Sequence, residues 1–274
     1  DPRRDVEVYL EVARKNDARI RYVFETHRNE DLISGAPLVA EATGASVHHG
    51  RALDFGYGEP ADDGQTFELG EIVLRVIETP GHTDESISLA VFTPGSGDRA
   101  WGVFTGDALF MGGVGRTDFH PERAHEDAGA LFDSIFDRIL PLGPQALLFP
   151  AHGAGSVCGQ GLAERPASTL GFEVTSSEML QLDRPSFVQR KLDERHVQPP
   201  YFAMMEHVNL AGASPLPATE LRPLAPGEFA SRADDGAIVL DVRSSEAFAA
   251  AHVPGSLGIP LGLVSSYAGW YLPY

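Results

Sequence analysis

Cysteine occurs once in the 274 residues, at Cys158, and that scarcity excludes an internal disulfide framework and any zinc site built from several thiolates. Lysine is nearly as rare: Lys15 and Lys191 are the whole supply, and arginine provides the rest of the 21 basic side chains. That imbalance fits biased base composition in the source genome and carries no functional weight. Against 39 acidic residues it leaves a net charge of −18, so nucleic acid and an anionic membrane surface are repelled rather than attracted as partners. No apolar run approaches the roughly 18 residues of a membrane span, and no signal-peptide pattern is present. With the lone cysteine, this predicts a cytoplasmic protein.

The 43% apolar content suffices for a real core, and the length suits one large domain plus part of another. Asp5 can cap a helix over residues 6 to about 16, whose apolar positions Val6, Tyr9, Leu10 and Ala13 keep helical spacing. Ile20, Tyr22 and Phe24 alternate as a strand that runs straight into Thr26-His27-Arg28-Asn29-Glu30-Asp31. A helical stretch over 37–43, a short strand near 45–48 and a glycine-rich loop over 56–64 follow. Ile72, Leu74 and Val76 make a strand ending at Thr79-Pro80-Gly81-His82-Thr83. Strands at 87–92 and 101–105 lead to Gly106-Asp107, a helix spans 124–139, and a strand at 146–149 delivers Pro150-Ala151-His152-Gly153. Four strand ends thus each carry a possible metal ligand, which is where α/β folds build their sites.

His27, His82 and Asp107 each follow an apolar strand in loops whose glycines allow tight turns. Two imidazoles and one carboxylate on one face of a metal leave open positions opposite, the arrangement of non-haem Fe(II) oxygenases. One such residue alone is an ordinary loop side chain; the joint pattern with Pro-Gly-His-Thr at 80–83 and Thr-Gly-Asp at 105–107 is far more specific.

Those motifs, with Thr-Gly-Asp-Ala-Leu-Phe at 105–110, Gly-Arg-Thr-Asp at 115–118 and Pro-Ala-His-Gly-Ala-Gly-Ser-Val-Cys-Gly at 150–159, resemble the metallo-β-lactamase superfamily. Within it they resemble the persulfide dioxygenases, especially those fused to rhodanese domains. The resemblance runs from Asp1 to about Asn209. It implies an α/β fold, an αββα sandwich of two sheets between helices, followed by the start of an α/β rhodanese-like domain. The superfamily's Thr-His-x-His-x-Asp-His motif reads Thr26-His27-Arg28-Asn29-Glu30-Asp31-Leu32 here, so Asn29 and Leu32 stand where a dinuclear site has imidazoles. That is damaging for a zinc thiolester hydrolase of the glyoxalase II type and tolerable for the iron enzyme, whose ligands carry over to His27, His82 and Asp107.

The resemblance further implies one Fe(II) per chain, a low-molecular-weight thiol persulfide and O2 as substrates, sulfite and free thiol as products, and a homodimer or homotetramer. Asp31 and His152 match second-metal ligands of the superfamily and are assigned to orienting His27 or a bound water, with a buried hydrogen-bonded pair as the alternative. Arg116 matches the family's arginine near the thiol substrate and can hold a substrate anion; an ordinary salt bridge is the other possibility. Cys158, six residues beyond His152, either carries or exchanges sulfur or is a small buried hydrophobe. A non-catalytic sulfur carrier or scaffold protein is the remaining function class, and the complete triad speaks against it.

Near the end, Ile238-Val239-Leu240-Asp241-Val242-Arg243 and then Glu246, Phe248, His252, Val253, Pro254 and Gly255 resemble the opening half of a rhodanese domain. The expected organisation is a core over 1–171 lacking its N-terminal strands, a helical extension and linker over 172–225, and a truncated rhodanese-like part over 226–274.

Overall fold

The computed structural model describes residues 1–154, 156, 162–215 and 222–272. They divide into two compact units, Asp1–Val197 with Met205–Ala213, and Gln198–Met204 with Ser214–Tyr274.

The first unit opens with α1 (Glu7–Lys15), β1 (Tyr22–Phe24), α2 (Ala36–Thr43), β2 (Ser46–Gly50) and β3 (Glu59–Ala61). It continues with β4 (Thr66–Leu69), β5 (Ile72–Glu78), β6 (Ile87–Phe92), β7 (Gly102–Gly106), α3 (Ala124–Asp133) and β8 (Leu147–Pro150). The helices α4 (Leu170–Ser176) and α5 (Arg184–Asp193) follow, and α6 (Phe202–Ala211) belongs to this unit from Met205 onward. Strands β1 to β3 form a parallel three-stranded sheet, and β4 to β8 a five-stranded sheet in sequence order. Asp5 does not cap α1: its carboxylate takes the Arg3 guanidinium, and Val6 occupies the cap without a side-chain bond. The 56–64 loop contains β3, which Pro60 and the exposed Glu59 disguise. The predicted 124–139 helix changes at Ser134 into a π-helical turn over Ser134–Ile139.

Three apolar layers hold this unit together, in the αββα order that the family resemblance implies. Val23, Val39 and Val47 pack with Val6, Tyr9 and Ile20 between α1, α2 and the small sheet. Ala61, Phe67, Val76, Ile87 and Leu89 meet Tyr22 and Phe24 between the sheets. Val103, Leu131, Ile135, Leu148 and Phe187 lie between the large sheet and α3 and α5. The fully buried Val, Leu, Ile and Phe side chains among these each contribute about 1.5–3 kcal/mol over exposure. Helix α5 starts cleanly because Asp183 accepts from the Ser186 N–H at 3.0 Å, and α4 because Thr169 accepts from Phe172.

In the second unit α7 (Pro226–Asp234) precedes a parallel pair, β9 (Leu240–Asp241) and β10 (Leu257–Gly258), with α8 (Ser245–Ala250) between them and α9 (Val264–Tyr271) last. Ser244 caps α8 through the Ala247 N–H. Among the described residues no helix is long and apolar enough to cross a membrane.

Candidate metal centre

Strand direction explains why distant residues meet. β6 is antiparallel to both β5 and β7, and β8 is parallel to β7, so β5, β7 and β8 all point the same way. Their C-terminal ends deliver His82, Asp107 and His152 to one edge, while β1 brings His27 from the other sheet. The two sheets are tied at that edge by the Ile87 N–H, which donates to the Thr26 carbonyl at 2.7 Å. Gly106 is required there: its φ is +51°, and a Cβ would stand 2.6 Å from Thr26 Oγ1.

The side chains converge. His82 Nε2 lies 3.4 Å and His27 Nε2 3.8 Å from Asp107 Oδ2. The other oxygen, Asp107 Oδ1, faces His152 Nε2 at 3.4 Å, and His152 Nε2 is 3.6 Å from Asp31 Oδ2. Donors of one metal ion, each at about 2.1 Å and separated by tetrahedral angles, stand about 3.4 Å apart, so the spacing suits a shared cation.

Both principal imidazoles are oriented from behind. Thr26 Oγ1 donates to Asp1 Oδ2 at 2.5 Å and therefore accepts the Nδ1–H of His27 at 2.9 Å. The Nδ1–H of His82 donates to the Arg116 carbonyl at 2.9 Å. Each ring thus turns an Nε2 lone pair inward, the outer-shell arrangement that metal-ligating histidines use.

Those inward atoms are otherwise orphaned. His27 Nε2, His82 Nε2, His152 Nε2, both oxygens of Asp107 and both oxygens of Glu30 are buried with no hydrogen-bond partner. Leaving so many polar atoms unsatisfied is costly unless a cation takes their lone pairs. Burial pushes the Asp107 carboxyl up, to about 6, against the pull of His82 and His152. Burial alone would lower His82, but Asp107 and Glu30 outweigh it and hold the imidazole up at about 9. His27 is held well below its ordinary value by burial and then by its imidazole neighbours His82 and His152. Nitrogen and carboxylate donors in a buried, negatively biased pocket fit a divalent metal ion.

The family model of the Metallo-beta-lactamase superfamily matches residues 1–152. The chain belongs to the metallo-beta-lactamase superfamily. A solved metallo-beta-lactamase from Staphylococcus aureus subsp. aureus COL superimposes with a TM-score of 0.87 at 30% identity, covering 100% of this chain and 80% of that one. The mitochondrial persulfide dioxygenase ETHE1 of Bos taurus is 30% identical over 135 residues, 49% of this chain and 49% of its own length. A hydroxyacylglutathione hydrolase of Nitrosococcus oceani is 30% identical over 149 residues, 52% of each. The chain spans about half the length of these curated relatives.

Within this superfamily fold, the loop after β1 departs from the dinuclear pattern in a visible way. Asn29 is buried, and its amide nitrogen donates to the His27 carbonyl and to Asp1 Oδ1, each at 3.1 Å. Arg116 is 1% exposed and grips Asp118 with two bonds, at 2.7 and 2.9 Å, while its guanidinium lies 4.9 Å from the Phe119 ring centre. Asp31 Oδ2 stands 3.6 Å from His152 Nε2, beyond hydrogen-bonding distance, and both side chains are partly exposed, so the two do not form the buried hydrogen-bonded pair. Cys158 lies outside the described residues. A cavity of about 270 Å³ opens beside His82, lined by Arg28, Leu53, Phe119, His120 and Arg123 among others. Its size suits a small organic molecule. Sequence reasoning missed Glu30, which is fully buried against the centre, because a glutamate in a polar loop reads as solvated.

Proposed function

We propose that this chain carries the catalytic part of an iron-dependent persulfide dioxygenase, with one Fe(II) held by His27, His82 and Asp107. The observation that carries the proposal is the complete inward-facing set of two Nε2 atoms and Asp107 Oδ2, combined with Asn29 and Leu32 where a second metal would need imidazoles. The net reaction is R–S–S⁻ + O2 + H2O → R–SH + SO3²⁻ + H⁺. The terminal sulfur loses four electrons, which O2 takes up. Iron, when bound, supplies the redox chemistry and the exchangeable positions at which substrate and oxygen meet.

The protein's own contributions follow from its geometry. Thr26 and the Arg116 carbonyl fix the ring orientations of His27 and His82. The cavity beside His82 admits the low-molecular-weight thiol, with Phe119 as an apolar wall and Arg28 and His120 as cationic or polar contacts. Arg116 is assigned to the substrate's anionic end, in competition with Asp118. The second unit fits the opening of a rhodanese-like domain, which would place sulfur-transfer chemistry on the same polypeptide. A homo-oligomer is proposed from the resemblance alone.

A zinc thiolester hydrolase is the second reading, favoured by the arrangement of Asp31 and Asp107 Oδ1 about His152 Nε2, at 3.6 and 3.4 Å. Metal analysis separates the two. Anaerobically purified full-length protein should hold about one iron per chain and consume oxygen with sulfite release when glutathione persulfide is added. Two zinc ions per chain, with thiolester cleavage and no oxygen uptake, would overturn the proposal.

A further inference from the structure

We propose that Glu30 is a fourth protein ligand of the metal, making the centre a two-histidine, two-carboxylate site. The inference rests on the metal centre of the proposed function, not on the reaction assigned to it.

Glu30 sits three positions after His27 in the same loop and is fully buried, at 0% exposure. Its Oε2 lies 3.6 Å from His82 Nε2, and one ligand atom each from His27, Glu30 and His82 falls within a 4.8 Å sphere of mutual distance. Neither carboxylate oxygen has a hydrogen-bond partner. The nearby cation is Arg28, whose Nη2 is 3.5 Å from Glu30 Oε1 and 3.6 Å from Glu206 Oε2, so its charge is divided between two acids. Oε2 is left facing the imidazoles.

The fold shows what it does with a buried carboxylate that serves structure alone. Glu173 is equally buried, and it accepts from the Gly112 N–H at 2.7 Å, from Arg165 Nη2 at 2.7 Å and from Ser168 Oγ. Glu85, also buried, takes the Arg28 N–H on Oε1 at 2.6 Å. Glu30 has no such donors within hydrogen-bonding distance, and its Oε2 faces His82 Nε2 at 3.6 Å, with a His27 ring nitrogen also within 4.8 Å. A buried acid aimed at other Lewis bases is tolerated when a cation lies between them.

A second carboxylate changes the centre's chemistry in two ways. With a divalent ion, the charge of ion plus ligands falls from +1 to zero. An additional oxygen donor favours harder ions over zinc and occupies one position that a three-ligand site would leave exchangeable.

The test is an anaerobic Co(II) titration of the metal-free full-length chain, followed by visible absorption, for the parent, Glu30→Gln and His27→Ala. If Glu30 is a ligand, Glu30→Gln weakens Co(II) binding at least about tenfold and alters the d–d bands, with circular dichroism unchanged. Binding within about twofold of the parent, with a superimposable spectrum, overturns the proposal. His27→Ala reports separately on the centre: if it too leaves Co(II) binding unchanged, the metal site itself is misplaced. Should Glu30→Gln fail to fold, infrared difference spectra of the parent chain labelled with ¹³C-glutamate decide the matter. A metal-induced shift of a labelled carboxylate band supports the assignment, and no shift overturns it.

Discussion

His82 and Arg116 are joined by a 2.9 Å hydrogen bond from the imidazole Nδ1–H to the Arg116 carbonyl, so the residue proposed to meet the substrate also holds a proposed metal ligand in place. The two roles use different parts of Arg116, backbone and guanidinium, and are separable by mutation. Arg116→Lys keeps the carbonyl and a positive charge but loses the planar fork that now grips Asp118. The expected result is unchanged metal stoichiometry with a KM for the persulfide raised by about tenfold and a largely retained kcat, the pattern of lost ground-state binding. Steady-state oxygen uptake measures this directly. An unchanged KM would assign the guanidinium to the Asp118 pair alone.

Thr26 plays the corresponding part for His27, passing its own hydrogen to Asp1 while accepting the ring Nδ1–H at 2.9 Å. Thr26→Val preserves shape and removes both bonds. Loss of an outer-shell partner of this kind weakens metal binding by about 10–100-fold. Competition with a chelator of known affinity reads the change, and parent-like affinity would show that the imidazole is oriented by packing instead.

The convergence of His27, His82 and Asp107, the proposed ligands, was legible because each is a metal-binding residue type at the end of an apolar strand, inside a glycine-bearing motif. Strand patterns also made the sandwich legible: alternation at 72–76 and the apolar stretch at 87–92, broken only by Ser88, identify β5 and β6 nearly to the residue. Other features leave no local trace. β3 consists of Glu59, Pro60 and Ala61 and exists only because β2 offers it an edge. The π-helical turn at Ser134–Ile139 keeps enough helical spacing to pass for a continuation of α3. Glu30 has the opposite difficulty, since burial of one acidic loop residue depends on how two sheets close over it and no periodicity records that.

Metal binding should be strongly pH-dependent, because the ligands must shed protons first. Asp107 and Glu30 hold the His82 imidazole up at about 9 in the metal-free protein, and burial raises the Asp107 carboxyl to about 6. A group with a raised value keeps its proton to higher pH, so apparent affinity increases as pH rises and levels off above about 9. Between pH 6 and 8 the His82 proton alone predicts about a hundredfold gain. Isothermal titration in buffers of differing ionisation enthalpy would count the released protons. A flat profile over that interval would mean that His82 is already neutral in the metal-free protein.

Glu173 offers the contrasting case of a buried acid whose work is structural. It receives Gly112, Arg165 and Ser168, and so ties the turn after Phe110 to the start of α4. Glu173→Ala strands three donors at once, including one guanidinium, and removing one partner of a buried ion pair costs about 3–5 kcal/mol. Urea unfolding should show that loss, together with unchanged Co(II) affinity in whatever fraction remains folded, since none of these contacts reaches His27, His82 or Asp107. Weakened metal binding without lost stability would instead mean that the Gly112 turn transmits its position to the centre through Val114 and Gly115. The second possibility has a physical route: Gly115 packs so close to Asp107 that a Cβ there would stand 1.9 Å from the Asp107 carbonyl oxygen. The two readouts together therefore decide whether the turn is a brace for the fold or a brace for the ligand.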